Sequence, residues 1–173
     1  MKKKLDFSKP LIVLAPLAGY TDLPFRSVVK KFGADLTISE MISSNALVYK
    51  SARTLKMIEK SPSEDPYFVQ IAGNSAQLVR EAVEILNDVE GIDGIDLNCG
   101  CPAPKVFSHG SGSNLLGDLK KLEEILSTIK KYSKKEYTSA KVRLGVNEKI
   151  AVEIGKAVEA CGVDFVSVHG RTR

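Results

Sequence analysis

Residues able to do chemistry collect in a few short strings of this sequence. Asn98-Cys99-Gly100-Cys101-Pro102 carries an amide and two thiols, Lys141-Val142-Arg143 two cations, and His169-Gly170-Arg171 an imidazole and a guanidinium. Gln70 sits alone between Val69 and Ile71. Cys101, between Gly100 and Pro102, has its chain direction fixed and can project its thiol into a site. A thiol with an unperturbed pKa near about 8.5 keeps its proton at pH 7 and can donate it without special tuning. Lys141 and Arg143 are two apart and share one face of a strand. Two cations on a buried strand are costly unless they meet an anion. Gln70 either faces solvent or, on a strand buried on both faces, needs a polar partner. His169 reads either as a satisfied core histidine or as a phosphate or cofactor contact. Together, strand-end amides, a thiol and cations suit a planar, anionic, hydrogen-bonding ligand.

The other cysteines read differently. Cys161 ends a helix before Gly162 and reads as packing, as does Cys99. A metal clip at Cys99 and Cys101 needs two further ligands, and none is nearby. With three Cys, two His and no CxxC, neither a zinc site nor a disulfide framework is supported.

Short apolar runs alternate with amphipathic stretches. Strands are expected at 11–14, 35–40, 67–71, 94–97, 139–144 and 163–168. Helices are expected at 22–32 (capped by Thr21 or Asp22, ended by Gly33), at 44–59, from the Ser75 cap to Val89, after the Asp118 cap, and at 148–161. Six strands alternating with helices imply βαβ units and a parallel sheet, either doubly wound and open or part of a barrel. The doubly wound reading needs G-x-G-x-x-G straight after a strand. The nearest string, His109-Gly110-Ser111-Gly112-Ser113, falls inside a long loop. In a barrel, the chemistry-bearing strings all fall at the C-terminal strand ends, where barrel active sites form.

Composition narrows the class. The chain has 173 residues, 43% hydrophobic and 27% charged, with a net charge of +4. This is a globular composition, mildly basic, compatible with a polyanionic partner without requiring one. The run Lys130, Lys131, Lys134, Lys135 reads as a solvated helix end. No apolar stretch is long enough for a membrane span. The basic start Met1–Lys4 leads into an apolar run broken by Pro16, too short for a signal peptide. The expected setting is the cytoplasm. Nothing in the sequence specifies an oligomeric state.

Four strings in order resemble the flavin-dependent tRNA-dihydrouridine synthases: Ala15-Pro16-Leu17-Ala18-Gly19-Tyr20-Thr21-Asp22, Asp96-Leu97-Asn98-Cys99-Gly100-Cys101-Pro102, Lys141-Val142-Arg143-Leu144-Gly145 and His169-Gly170-Arg171-Thr172-Arg173. Ser39-Glu40-Met41-Ile42-Ser43-Ser44-Asn45-Ala46 is most similar to the bacterial B-type subgroup. The resemblance implies an FMN-binding TIM-like (β/α)₈ barrel followed by a helical tRNA-binding domain, with NADPH as reductant and a uridine of tRNA as substrate. It implies Cys101 as proton donor and Pro16, Leu17, Ala18, Gln70, Lys141 and His169 at the FMN. Asn98, Arg143 and Lys105 would serve the uracil and its loop, and Lys105 with Gly110–Ser113 matches a mobile loop carrying the cysteine. The family often has Met where Leu17 stands. No metal is implied.

A complete barrel of this type needs about 250 residues. The expectation is therefore an α/β barrel truncated to about six βα units, with residues 1–173 its N-terminal part and the helical domain absent. FMN binding and turnover by these residues alone are expected to be weak. Two other classes stay open: an FMN barrel oxidoreductase of dihydroorotate dehydrogenase type, and a non-catalytic RNA-binding module.

Overall fold

The structure is a computed structural model and describes residues 4–173; the basic start at Met1–Lys3 lies outside the described residues. Among these residues, seven parallel strands form one sheet: β1 (Val13–Leu14), β2 (Leu36–Ile38), β3 (Ile42–Ser43), β4 (Tyr67–Ala72), β5 (Gly94–Cys99), β6 (Tyr137–Arg143) and β7 (Phe165–His169). They run β1-β2-β4-β5-β6-β7, with β3 paired to the far end of β4. β4, β5 and β6 are each followed by helical structure, so the sheet grows through βαβ crossovers. β1 and β7 lie at its two ends, and the sheet curls as an open part of a TIM-like barrel.

Among the described residues, seven α-helices and one 3₁₀ helix connect the strands: α1 (Leu23–Lys31), α2 (Ser44–Val48), α3 (Ala52–Met57), α4 (Ala76–Asn87), α5 (Pro104–Ser108), the 3₁₀ turn Gly112–Gly117, α6 (Leu119–Tyr132) and α7 (Ala151–Ala160). Local chemistry sets their starts. Asp22 accepts from the N–H of Phe25, Ser75 from Leu78 and Asp118 from Lys121, each satisfying an amide the helix leaves free. Along α4, Val79, Ala82, Val83 and Leu86 are buried; along α6, Leu122, Ile125, Leu126 and Ile129. That spacing keeps one stripe on the sheet. Two lysines of the run at the end of α6 have partners: Lys130 pairs with Asp164 at 3.1 Å, and Lys135 Nζ donates to the carbonyls of Asn87 and Val89.

Alternation along the strands divides the interior in two. The outer face carries Tyr67, Val69, Ile71, Ile95, Leu97, Cys99, Ala140 and Val142, packed against the helices. The inner face carries a smaller apolar floor of Leu5, Leu36, Ile38 and Phe68. There Phe68 and Tyr137 stack at 5.7 Å across Gly94. A Cβ at Gly94 would come within 2.5 Å of the Phe68 ring, so this rung needs glycine. Above the floor, the same face turns polar with Gln70, Asp96 and Ser139 in register, then Asn98 beside Lys141. On β7 the outer-face residues Val166 and Val168 are exposed.

The structure departs from the sequence expectation in five places. The helix expected at 44–59 is two short helices, because Lys50 takes a positive φ of 51° between them. The strand expected at 35–40 stops at Ile38; beyond it Glu40 turns toward the first loop and β3 begins. The strand expected at 11–14 pairs only through Val13 and Leu14. The long loop after β5 contains α5 and the 3₁₀ turn. The helix expected from 148 begins at Ala151, after a turn at Gly145 with φ 150°, where a Cβ would collide with the carbonyl of Glu148.

Candidate active site

At the C-terminal rim, β1, β4, β5, β6 and β7 surround a cleft of about 230 Å³. One wall is apolar: Pro16, Leu17 and Ala18 from the loop after β1, and Met41 beyond β2. Thr21 ties that loop into a turn by accepting from the Leu17 N–H, and Glu40 latches its far side by accepting from the Gly19 N–H at 2.6 Å. The opposite side is polar: Gln70, Asn98, Lys141, Arg143 and His169, with Cys101 at the edge. Nine of the ten nominated site residues therefore share one cleft. The tenth, Lys105, is exposed on α5 and outside the lining residues.

The polar side is a connected network. Asp96 is 1% exposed. It accepts from Ser139 Oγ at 2.6 Å and from Gln70 Nε2 at 2.7 Å. Gln70 Oε1 in turn accepts from Asn98 Nδ2 at 2.8 Å. Asn98 Oδ1 accepts from the backbone N–H of Gly100 and of Cys101, at 3.2 and 2.9 Å. The same loop is held from two other sides. Arg143 Nε donates to the Gly100 carbonyl at 2.7 Å, and Ser113 donates to the Cys101 carbonyl through both its N–H (3.0 Å) and its Oγ (2.9 Å). Gly112, at φ 62°, lies so close behind that a Cβ would meet the Cys101 carbonyl at 2.8 Å. The segment matched to a mobile loop is thus folded onto the cysteine in this structure. Arg173 also stacks over the Phe107 ring of α5, at 3.7 Å.

Electrostatics follow burial. Burial lifts the Asp96 carboxyl to about 6, against the opposing pull of Ser139, Gln70 and Lys141. Burial lowers Lys141, countered by Asp96 and reinforced by Arg143. Burial also lowers His169, with Arg143, Lys141 and Arg171 adding to it, which favours the neutral imidazole. The Cys99 thiol, fully buried on the outer face, is pushed well up by burial and by Asp96, as suits a packing residue. Cys161 is half-buried and donates to the Ala157 carbonyl.

The sequence reading gives no role at the site to Asp96, Ser139 or Met41; it places Glu40 at a strand end and Ser113 in the segment matched to a mobile loop, without a partner for either. For Asp96 a signal was present: it lies two residues before Asn98, and hence on the same strand face. The bonds Ser113 and Glu40 make carry no such signal, because each acts on a segment distant in sequence.

A flat wall of Pro16–Ala18 facing hydrogen-bonding groups and a cation suits a heteroaromatic ring with a polar edge. The volume is below the roughly 300–1,000 Å³ of sites for drug-sized ligands, so it suits a ring system better than a whole nucleotide. The donor set therefore fits the isoalloxazine of a flavin. Among the described residues, no group of three or more His, Cys, Asp or Glu could hold a metal ion. No helix among them is long and apolar enough to cross a membrane.

The family model for Dihydrouridine synthase (Dus) matches residues 13–173. The chain belongs to the dihydrouridine synthase family. Among curated relatives of the family, a probable tRNA-dihydrouridine synthase of Helicobacter pylori is 58% identical over 170 residues, covering 98% of this chain and 52% of the relative. One of the same description from Rhizobium leguminosarum is 41% identical over 165 residues, covering 94% and 51%. The tRNA-dihydrouridine synthase B of Xanthomonas campestris is 37% identical over 166 residues, covering 95% and 49%. The chain spans about half the length of the curated relatives it matches.

Proposed function

We propose that this cleft binds FMN and a uridine of tRNA and serves the reduction of that uridine to 5,6-dihydrouridine. The observation that carries the reading is the convergence of Cys101, Asn98, Arg143, Lys141, Gln70 and His169 on one cleft walled by Pro16, Leu17 and Ala18. The similarity to probable and B-type tRNA-dihydrouridine synthases supports tRNA as substrate. Residues 1–173 would form the FMN-binding barrel portion, with further tRNA-docking surface on a helical domain outside them.

Pro16, Leu17 and Ala18 would lie along the ring, with Gln70, Lys141 and His169 at its polar edge. FMN, when bound and reduced by NADPH, supplies the hydride that uridine needs at C6. This chain's part is to hold the base and deliver a proton. A base must leave its stack to be reached, and Asn98 and Arg143 would receive the uracil edge. Both already spend bonds on the Cys101 loop, so the groups that read the base also set the height of the thiol. Cys101 Sγ gives its proton to C5 on the face opposite the hydride, and water reprotonates the sulfur afterwards. Lys141 places positive charge where negative charge collects on the ring system. Lys105, on α5, would meet the RNA backbone outside the cleft.

The test is Cys101→Ala. It is expected to keep tRNA binding and to lower dihydrouridine formation by about 10²- to 10⁴-fold, the range of a lost general acid. Equal product from wild type and variant would overturn the proton-donor role. Hydride transfer to orotate rather than to tRNA would instead favour a dihydroorotate dehydrogenase-type enzyme. Binding of tRNA with no reduction by the wild type would favour a non-catalytic RNA-binding module.

A further inference from the structure

Asn98 and Gln70 each carry a side-chain amide, whose oxygen and NH₂ ends have nearly the same shape. Packing alone cannot choose between the two orientations of such a group. In this protein the choice is made at the ends of a chain of bonds. At one end, the backbone N–H groups of Gly100 and Cys101 can only donate. They are met by Asn98 Oδ1 at 3.2 and 2.9 Å. At the other end, the ionised carboxylate of Asp96 can only accept. It is met by Gln70 Nε2 at 2.7 Å, and the two amides meet between them at 2.8 Å. Turning both amides over would set NH₂ against N–H at the loop and oxygen against oxygen at Asp96.

We infer that Asp96 is a positioning residue for Cys101, acting through Gln70 and Asn98 to hold Asn98 Oδ1 against the loop that carries the thiol. Asp96 is too deep to touch a ligand: it lies one rung below Asn98 and Lys141, in register with Gln70 and Ser139, outside the residues that line the cleft, and is 1% exposed. Its second oxygen is taken by Ser139, which fixes the carboxylate plane. Burial works against a charged group here, so a purely structural rung would be served as well by a neutral residue. What Asp96 adds is direction: an acceptor at the base of the relay. Ser113 and Arg143 hold the two carbonyls of the same loop, so the relay supplies the missing hold on its N–H side. The functional meaning rests on Cys101 being the proton donor; the geometric claim does not.

The experiment reads the loop directly, on the whole protein as its host makes it, with no tRNA or added flavin. Amide hydrogen exchange is followed at Gly100 and Cys101, with the α4 amides as a folding control. Asp96→Ala is expected to speed exchange at both loop amides at least tenfold while α4 is unchanged. Asp96→Asn is expected to stay within twofold of wild type. Its carbonyl still accepts from Gln70, and its NH₂ turns to a Ser139 hydroxyl that can equally accept. Wild-type exchange in Asp96→Ala would overturn the inference. So would Asp96→Asn loosening the loop as much as Asp96→Ala, since volume or charge rather than acceptance would then be at work. If Asp96→Ala does not fold, Gln70→Met decides: it keeps the shape and breaks the relay, so the loop must loosen tenfold, and an unchanged loop overturns the inference. A relay that behaves as expected beside an active Cys101→Ala would leave the inference standing and remove only the proton-donor reading.

Discussion

Asp96 should leave a signature in the pH dependence of folding. Burial raises its carboxyl to about 6 in the native protein, outweighing the hydrogen bonds from Ser139 and Gln70 and the charge of Lys141. In the unfolded chain the same group titrates near about 3.9. Between these values the native state binds more protons than the unfolded state, so stability falls as pH rises through that window. The contribution is complete below about pH 4 and lost above about pH 6. About two pH units at about 1.4 kcal/mol each give about 3 kcal/mol. Asparagine cannot titrate, so wild type should lose about 3 kcal/mol relative to Asp96→Asn between pH 4 and pH 6.5, and nothing further above it. For a domain of this size that is roughly 6 to 12 °C in Tm. Urea unfolding of both proteins across pH 4–8 measures it. A difference independent of pH, or one that grows in the wild type's favour as pH rises, would show that the hydrogen bonds and not burial dominate at Asp96.

Three other outcomes follow from the structure. Arg26 and Glu64 form a buried pair at 2.7 Å, with Thr37 and the Ser61 N–H also on the carboxylate and Tyr67 under the guanidinium; Arg26→Met should lower folding stability by about 3–5 kcal/mol in urea, because it strands a buried charge. Gly94→Ala drives a methyl into the Phe68 ring and should cost about 1–3 kcal/mol, with partial recovery when Phe68→Leu is added. Residues 1–173 produced alone should hold FMN weakly, since the cleft takes little more than a ring; a stoichiometric yellow complex that survives gel filtration would contradict this.

The parts of the fold that could be read from residues are those decided locally. Tyr67–Ile71 and Gly94–Leu97 are compact apolar runs, and Ser75 and Asp118 cap helices within three residues of themselves. The parts that could not be read are decided at a distance. β3 exists because Ile42 and Ser43 meet Ile71 and Ala72. The 3₁₀ turn is held where Ser113 reaches the carbonyl of Cys101, twelve residues away. The candidate site was legible because its residues sit at strand ends, where period-two spacing and topology together say where they converge. Lys105, on a short helix beyond a strand, has no such constraint. Asp96 was hidden by its neighbours: within Gly94–Leu97 it reads as one polar break in an apolar strand, and its meaning appears only with Gln70 and Ser139 beside it.

The two-faced sheet also limits how such a protein can vary. On β5 the residues of the relay, Asp96 and Asn98, alternate with Ile95, Leu97 and Cys99 of the helix-facing core. One residue inserted or deleted ahead of Asp96 would exchange the two sets, sending the carboxylate and amide among the helices and aliphatic side chains into the cleft. Length can therefore drift only outside the strands, whereas the central strands must keep their count to the residue. At this rim the residue count along the sheet matters as much as the identity of any side chain on it.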